Sequence, residues 1–127
     1  MDELTDKLKN LAMPSRNDSN YCPPDSELEA MLAALLVKAD KGDNSLLNSF
    51  RKLRELATIR QITDSLFVKI YEHSLFYSLA QSDLAGFSVC ANRLVGDIYN
   101  NIESQHQEEV TCLLLLYYAL DATRNAD

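Results

Sequence analysis

Apolar residues recur along this chain every three or four positions, the spacing of helices that bury one face. Leu28, Met31, Leu32, Leu35 and Leu36 form the first strong stripe. Asp25 or Ser26 is suited to cap it, and Gly42 to stop it. A second stripe, Leu46, Leu47, Phe50, Leu53, Leu56 and Ala57, predicts a helix from Asn44 or Ser45 to about Arg60. The third carries Leu66, Phe67, Ile70, Tyr71, Ser74 and Leu75 and runs on through Tyr77 to Leu79. The preceding Ile62-Thr63-Asp64-Ser65 segment offers its N-cap.

The Ser82-Asp83 break introduces the cleanest periodicity: Leu84, Phe87, Ala91, Leu94, Val95, Ile98, Tyr99 and Ile102. Gly86 and Gly96 inside that pattern each cost about 1 kcal/mol relative to alanine, so packing must offset them. Close helix–helix approach is one reason for such small residues. After the polar NNIESQHQEE stretch, a last helix over 108–123 is apolar on nearly every side through Leu113–Leu120. A helix apolar all round belongs in a core or under a partner.

Residues 2–11 carry Leu4, Leu8 and Leu11 on one helical face, and residues 13–24 form a polar, proline-punctuated linker. The expected organisation is therefore a short N-terminal helix with its linker over residues 1–24, then a helical-repeat domain over residues 25–127. The fold expected is all-α, with antiparallel helical hairpins stacked as a short, TPR-like α-solenoid.

Composition narrows the function more than it defines it. The chain has 127 residues, 46% of them hydrophobic, with three glycines and three prolines, which favours helices over a turn-rich β protein. Its net charge of −7 opposes phosphate, so nucleic-acid binding by this chain alone is disfavoured. Lys38 and Lys41, and Arg51, Lys52, Arg54 and Arg60, read as solvated faces rather than an RNA patch. No segment has the length and apolarity of a membrane span, and the N-terminus lacks the apolar core of a secretory signal.

Cys22, Cys90 and Cys112 have no CxxC or Cys/His spacing, so neither a zinc site nor a disulfide framework is expected. Glu72 and His73 are sequence neighbours and point about 100° apart on a helix, which rules out a dyad. His106 lies in a polar turn, and Glu108-Glu109 suits a helix's first turn. No phosphate loop or nucleophile elbow occurs. The sequence points to no enzyme, no cofactor and no metal. Interface positions expected instead are Phe76 and Tyr77 on the third helix, and Leu113, Leu114, Leu116, Tyr117 and Tyr118 on the last.

The residue order adds a resemblance. Phe50-Arg51-Lys52-Leu53-Arg54-Glu55 with Thr58 and Ile59, then Leu66-Phe67-Val68-Lys69-Ile70-Tyr71-Glu72, resembles the Sac/GANP pattern, which is related to PCI domains. Leu79, Asp83, Phe87, Cys90, Leu94 and Tyr99 follow at similar spacing, and Leu116-Tyr117-Tyr118 resembles the family's next Leu-Tyr-Tyr. Ser82 stands where the family has glycine, Leu56 replaces an acidic residue, and Ser74-Leu75-Phe76 replaces His-Ala-Arg. The resemblance covers about two-thirds of the chain. It implies a helical scaffold in TREX-type mRNA export or transcription-coupled mRNP assembly, in the nucleus or at nuclear pores, with a PCI-domain protein as partner. The family's winged helix has no counterpart here, so its nucleic-acid binding is not carried over. The runner-up is a small PCI subunit of the proteasome lid, the COP-nine signalosome or translation initiation factor three, which allows a cytoplasmic location.

Overall fold

A computed structural model describes residues 24–59 and 65–124. The helix expected over 2–11, its linker and the cap residues 62–64 lie outside the described residues. The described chain is all-helical: α1 (Asp25–Asp40), α2 (Leu47–Ile59), α3 (Ser65–Ala80), α4 (Leu84–Gly96), a 3₁₀ turn (Ile98–Asn100) and α5 (Gln107–Arg124). Helices adjacent in sequence pack together, and α1 also reaches α3.

Helix α3 is the centre of the fold. Its buried residues face several directions at once: Phe67, Ile70, Tyr71, Leu75 and Tyr77 among the apolar ones, and Glu72, Ser74 and Ser78 among the polar ones. The amphipathic stripes of α1, α2 and α4 close over it. Leu28, Met31, Leu35, Leu46, Leu53 and Leu94 are all fully enclosed there.

Two turns share one design. At the end of α1, Gly42 adopts φ 88° while its N–H bonds Ala39 O (3.0 Å) and the Asp43 N–H bonds Lys38 O (3.1 Å). This paired arrangement satisfies the last carbonyls of a helix and needs a left-handed residue. At the end of α3 the same bonds run from Ser82 to Leu79 O (3.0 Å) and from Asp83 to Ser78 O (2.8 Å). Here the left-handed residue is Ser82, φ 61°. A side chain in that region is disfavoured by about 1 kcal/mol or more, which glycine avoids. Ser82→Gly is expected to stabilise the protein by about 0.5–1 kcal/mol, read as a higher urea midpoint with an unchanged slope.

Boundaries depart from expectation in three places. Pro24, extended at φ −67° and ψ 162°, caps α1 in place of Asp25 or Ser26, and its carbonyl receives the Glu27 and Leu28 N–H groups. Helix α2 starts at Leu47 because Asp43 holds both the N–H (2.9 Å) and the hydroxyl (2.6 Å) of Ser45 in a turn. Helix α4 does not run on to Ile102 but ends at Gly96, where Asp97 swings to φ −140° and ψ −63°. The Asn100 and Asn101 side chains then donate to Gly96 O (3.1 Å) and Asp97 O (3.3 Å), competing with helix continuation. Ile98 and Tyr99 are buried all the same, from the 3₁₀ turn.

The two α4 glycines differ. A Cβ on Gly86 would strike the Asp83 carboxylate and come within 3.0 Å of Ser78 Oγ, so α3 and α4 do approach closely there. Around Gly96 the space is open, and no close approach explains it.

Candidate docking surface

Helix α5 carries two apolar faces. The inner face packs on the core through buried Val110 and Leu114 and half-buried Leu113 and Tyr117. The outer side is bare: Leu115, Leu116 and Leu120 are 64%, 55% and 57% exposed. No charged residue occurs between Val110 and Leu120, so three turns of exposed helix lack the charges that ordinarily mark a solvated face. Beside the helix, Leu79, Leu84, Phe87, Leu116, Tyr117 and Leu120 line an apolar groove of about 430 Å³. Leu79 and Leu84 are themselves exposed at the α3–α4 turn.

The residues expected at an interface divide. Leu116 and Tyr118 are exposed, Leu113 and Tyr117 half-buried. The Tyr117 ring lies 5.8 Å from Phe87, and the Tyr118 hydroxyl donates to Asn92 Oδ1 on α4. Leu114 faces inward and is buried, since it sits on the α4 side of the helix. Tyr77 is also a correction: its hydroxyl donates to Asp43 O (2.8 Å) and accepts the Leu46 N–H (3.0 Å), and its ring lies 4.9 Å from Phe50. It ties the α1–α2 turn to α3 and offers nothing to a partner. Phe76 is half-buried, edge-on to His106 at 5.5 Å. Leu115 and Leu120, the most exposed leucines, lay inside the all-apolar run, but periodicity alone did not say which side faces α4.

The positions that carry the family resemblance pair with one another inside the fold. Thr58 Oγ1 and the Tyr71 hydroxyl lie 3.2 Å apart, and Thr58 also donates to Arg54 O (2.9 Å). Glu72 Oε2 accepts the hydroxyls of Tyr99 (2.5 Å) and Ser104 (2.6 Å), and Ser104 Oγ in turn accepts the His106 N–H (3.2 Å). Asp83 caps α4 by accepting the Gly86 N–H (3.2 Å). Phe50, Phe87, Cys90 and Leu94 are buried. These contacts are architectural.

The chain matches no family model, no curated protein and no solved structure. What the groups can do must therefore be read from their surroundings. Burial and the Glu72 hydrogen bond push the Tyr99 phenol well above its ordinary range. Burial also holds the His73 imidazole below its usual value, against the opposing pull of Glu72. Among the described residues no cluster of His, Cys, Asp and Glu could hold a metal ion, and no helix is long and apolar enough to cross a membrane.

Arg51, Arg54 and Arg93 do converge, on a groove of about 490 Å³ between α2 and α4 that Glu55 and Asp83 also line. Arg93 lies over the Phe67 and Tyr71 rings at 5.6 and 5.8 Å, and its Nε is 3.2 Å from Asp97 Oδ2, close but not aligned as a hydrogen bond. With acids interleaved this way, the groove does not amount to a basic patch.

Burial raises the Cys90 thiol to about 11, with Arg54 opposing the shift and Asp83 adding to it. Cys112 is exposed on α5. Iodoacetamide on the native protein is expected to alkylate Cys112 and spare Cys90 until denaturant is added, as peptide mapping by mass spectrometry would read out. The same shift ties stability to pH. An unfolded Cys90 thiol ionises from about pH 9 while the folded one does not, so its contribution is complete below pH 9. It is lost as pH climbs through about 11.

Proposed function

We propose that this chain is a non-catalytic helical scaffold or adaptor whose α5 outer face docks another polypeptide. The observation that carries this reading is the bare, uncharged second face of α5 beside an apolar groove. Leaving it in water forgoes burial worth about 25 cal/mol per Å², which a partner surface recovers. The helices stack as antiparallel hairpins in a short α-solenoid, a reading supported by their sequential packing.

The Sac/GANP resemblance supplies the setting: a PCI-related subunit in mRNA export or transcription-coupled mRNP assembly, in the nucleus. Two features support it. Ser82 takes a left-handed conformation where that family has glycine, and Glu72 and Tyr99, two of the motif positions, bond each other. A buried carboxylate bonded by two hydroxyls fits a structural role better than proton transfer.

The test is affinity purification of the intact protein from its native cell, beside the double variant Leu115→Glu/Leu116→Glu, with mass spectrometry at moderate salt. A PCI protein recovered with mRNA-export or nuclear-pore proteins by the natural chain, and lost from the variant, is the expected result. Recovery of proteasome-lid subunits instead would replace the export setting with the lid. No partner with either chain would overturn the scaffold reading.

A further inference from the structure

We infer that the trough between α2 and α4 is a second docking site, and that it takes an acidic segment of a partner polypeptide whose carboxylates pair with Arg51, Arg54 and Arg93. It is separate from the outer face of α5, and with both surfaces in use the chain joins two polypeptides. The trough exists because α2 and α4 both pack on α3 and scarcely touch each other. Tyr71 and Ser78 of α3 form its floor.

The distribution of charge names the occupant. Helix α2 carries Arg51, Lys52 and Arg54 against Glu55 alone, and α4 carries Arg93 and no acid. Among the described residues these are the two helices in which bases outnumber acids: α3 sets Lys69 against Glu72, while α1 and α5 are acidic. A chain of net charge −7 thus keeps its positive side chains together on the walls of one trough. Fields fade over about 8 Å at physiological salt, so a ligand seated there feels the lining rather than the chain's total.

The guanidiniums are also available. Arg51 and Arg54 sit one turn apart on one side of α2, and among the described residues neither side chain has an ion pair or a hydrogen bond. The charge of Arg54 acts on Cys90 of α4, across the trough. From the facing wall Arg93 stacks over Phe67 and Tyr71, and Asp97 is not aligned to accept from its Nε. That leaves the planar fork to an incoming carboxylate, which it matches in shape. Of the two acids in the lining, Asp83 is engaged in capping α4 through the Gly86 N–H. Glu55 follows Arg54 on the same wall and repels the unbroken phosphate row of a nucleic acid. A polypeptide can instead place single carboxylates opposite the arginines and an uncharged residue opposite Glu55. The α4 wall admits its backbone closely, since Ala85, Gly86 and Val89 are small and Val89 is 60% exposed. From Leu47 to Thr58 the α2 wall runs about 17 Å, room for about three turns of helix or about five extended residues.

Fluorescence anisotropy on the purified full chain tests this with a labelled alanine–glutamate peptide of about 12 residues, a lysine counterpart, and a single-stranded RNA oligomer of equal negative charge. The glutamate peptide is expected to bind more tightly than either of the others, and to weaken as salt rises. Arg51→Glu/Arg54→Glu should weaken it about tenfold or more. Val89→Glu, an exposed change on the opposite wall, should weaken it as well and guards against a fold defect in the first variant. Leu115→Glu/Leu116→Glu should leave it unchanged. No binding of the glutamate peptide, binding left intact by both trough variants, or tighter binding of the RNA would overturn the inference. Loss in the α5 variant rather than in the trough variants would overturn it too, while leaving the docking reading of α5 in place.

Discussion

Tyr99→Phe is expected to lower stability by about 2–4 kcal/mol, although it removes only a single oxygen atom. The Glu72 carboxylate is 5% exposed, and its Oε2 is held by the hydroxyls of Tyr99 and Ser104. Hydrogen bonds to a charged group contribute more than neutral ones, and removing one partner leaves the other group short of solvation it gave up on folding. The network also joins three elements: Glu72 is on α3, Tyr99 in the 3₁₀ turn, and Ser104 in the turn before α5. Losing Tyr99 therefore loosens the platform on which α5 stands. A double-mutant cycle in urea makes the test specific. Glu72→Gln/Tyr99→Phe should cost markedly less than the sum of the two single changes, because the second removes a partner the first has already weakened. Strict additivity would show that the short bond contributes no coupling.

The second large effect is expected at Tyr77. Its hydroxyl is the hydrogen-bond partner of both Leu46 N and Asp43 O, and it reaches them from 31 and 34 residues away in sequence. Tyr77→Phe keeps the ring on Phe50 but leaves a buried N–H without its acceptor, at a cost of about 1–3 kcal/mol. The loss should be local as well as global. In native-state hydrogen exchange, the amides of Leu46 and Phe50 at the start of α2 should lose protection before those of α4 do. Equal loss of protection across all helices would mean that the Tyr77 hydroxyl does not anchor the turn.

Much of this fold was legible in the sequence because α2 and α4 are cleanly amphipathic and the buried stripe of α1 recurs at helical spacing. Leu28, Met31, Leu32 and Leu35 had one side to bury, and the α1 stop at Gly42 followed from glycine's freedom at positive φ. Helix α3 was legible as a helix but not as the central one, since Val68, Glu72 and Ser78 break its stripe and are buried by neighbours on every side. The end of α4 was missed for a related reason. Ile98 and Tyr99 kept the helical spacing, while the decisive contacts, Asn100 and Asn101 folding back on Gly96 and Asp97, are side-chain bonds that hydrophobic periodicity does not register.

The candidate surface was legible in part. An all-apolar run announces that two faces need cover, but its direction depends on which side α4 takes. Leu116 and Tyr118 proved to face outward, while Leu114 and Tyr77 proved to serve the interior. Leu115 carries the same residue type as Leu114 and differs from it by a 100° turn of helix.

That turn gives the most direct test of the central claim, that α5 docks a polypeptide through its outer face. A photo-crosslinking amino acid would be placed at position 115 in the full chain within its native cell, and in a second preparation at position 37, where Val37 is 53% exposed on α1. The account predicts a defined crosslinked adduct from position 115, with a second copy of the chain or with a partner subunit, and none of comparable yield from position 37. Adducts from position 37 alone, or from neither position, would contradict it.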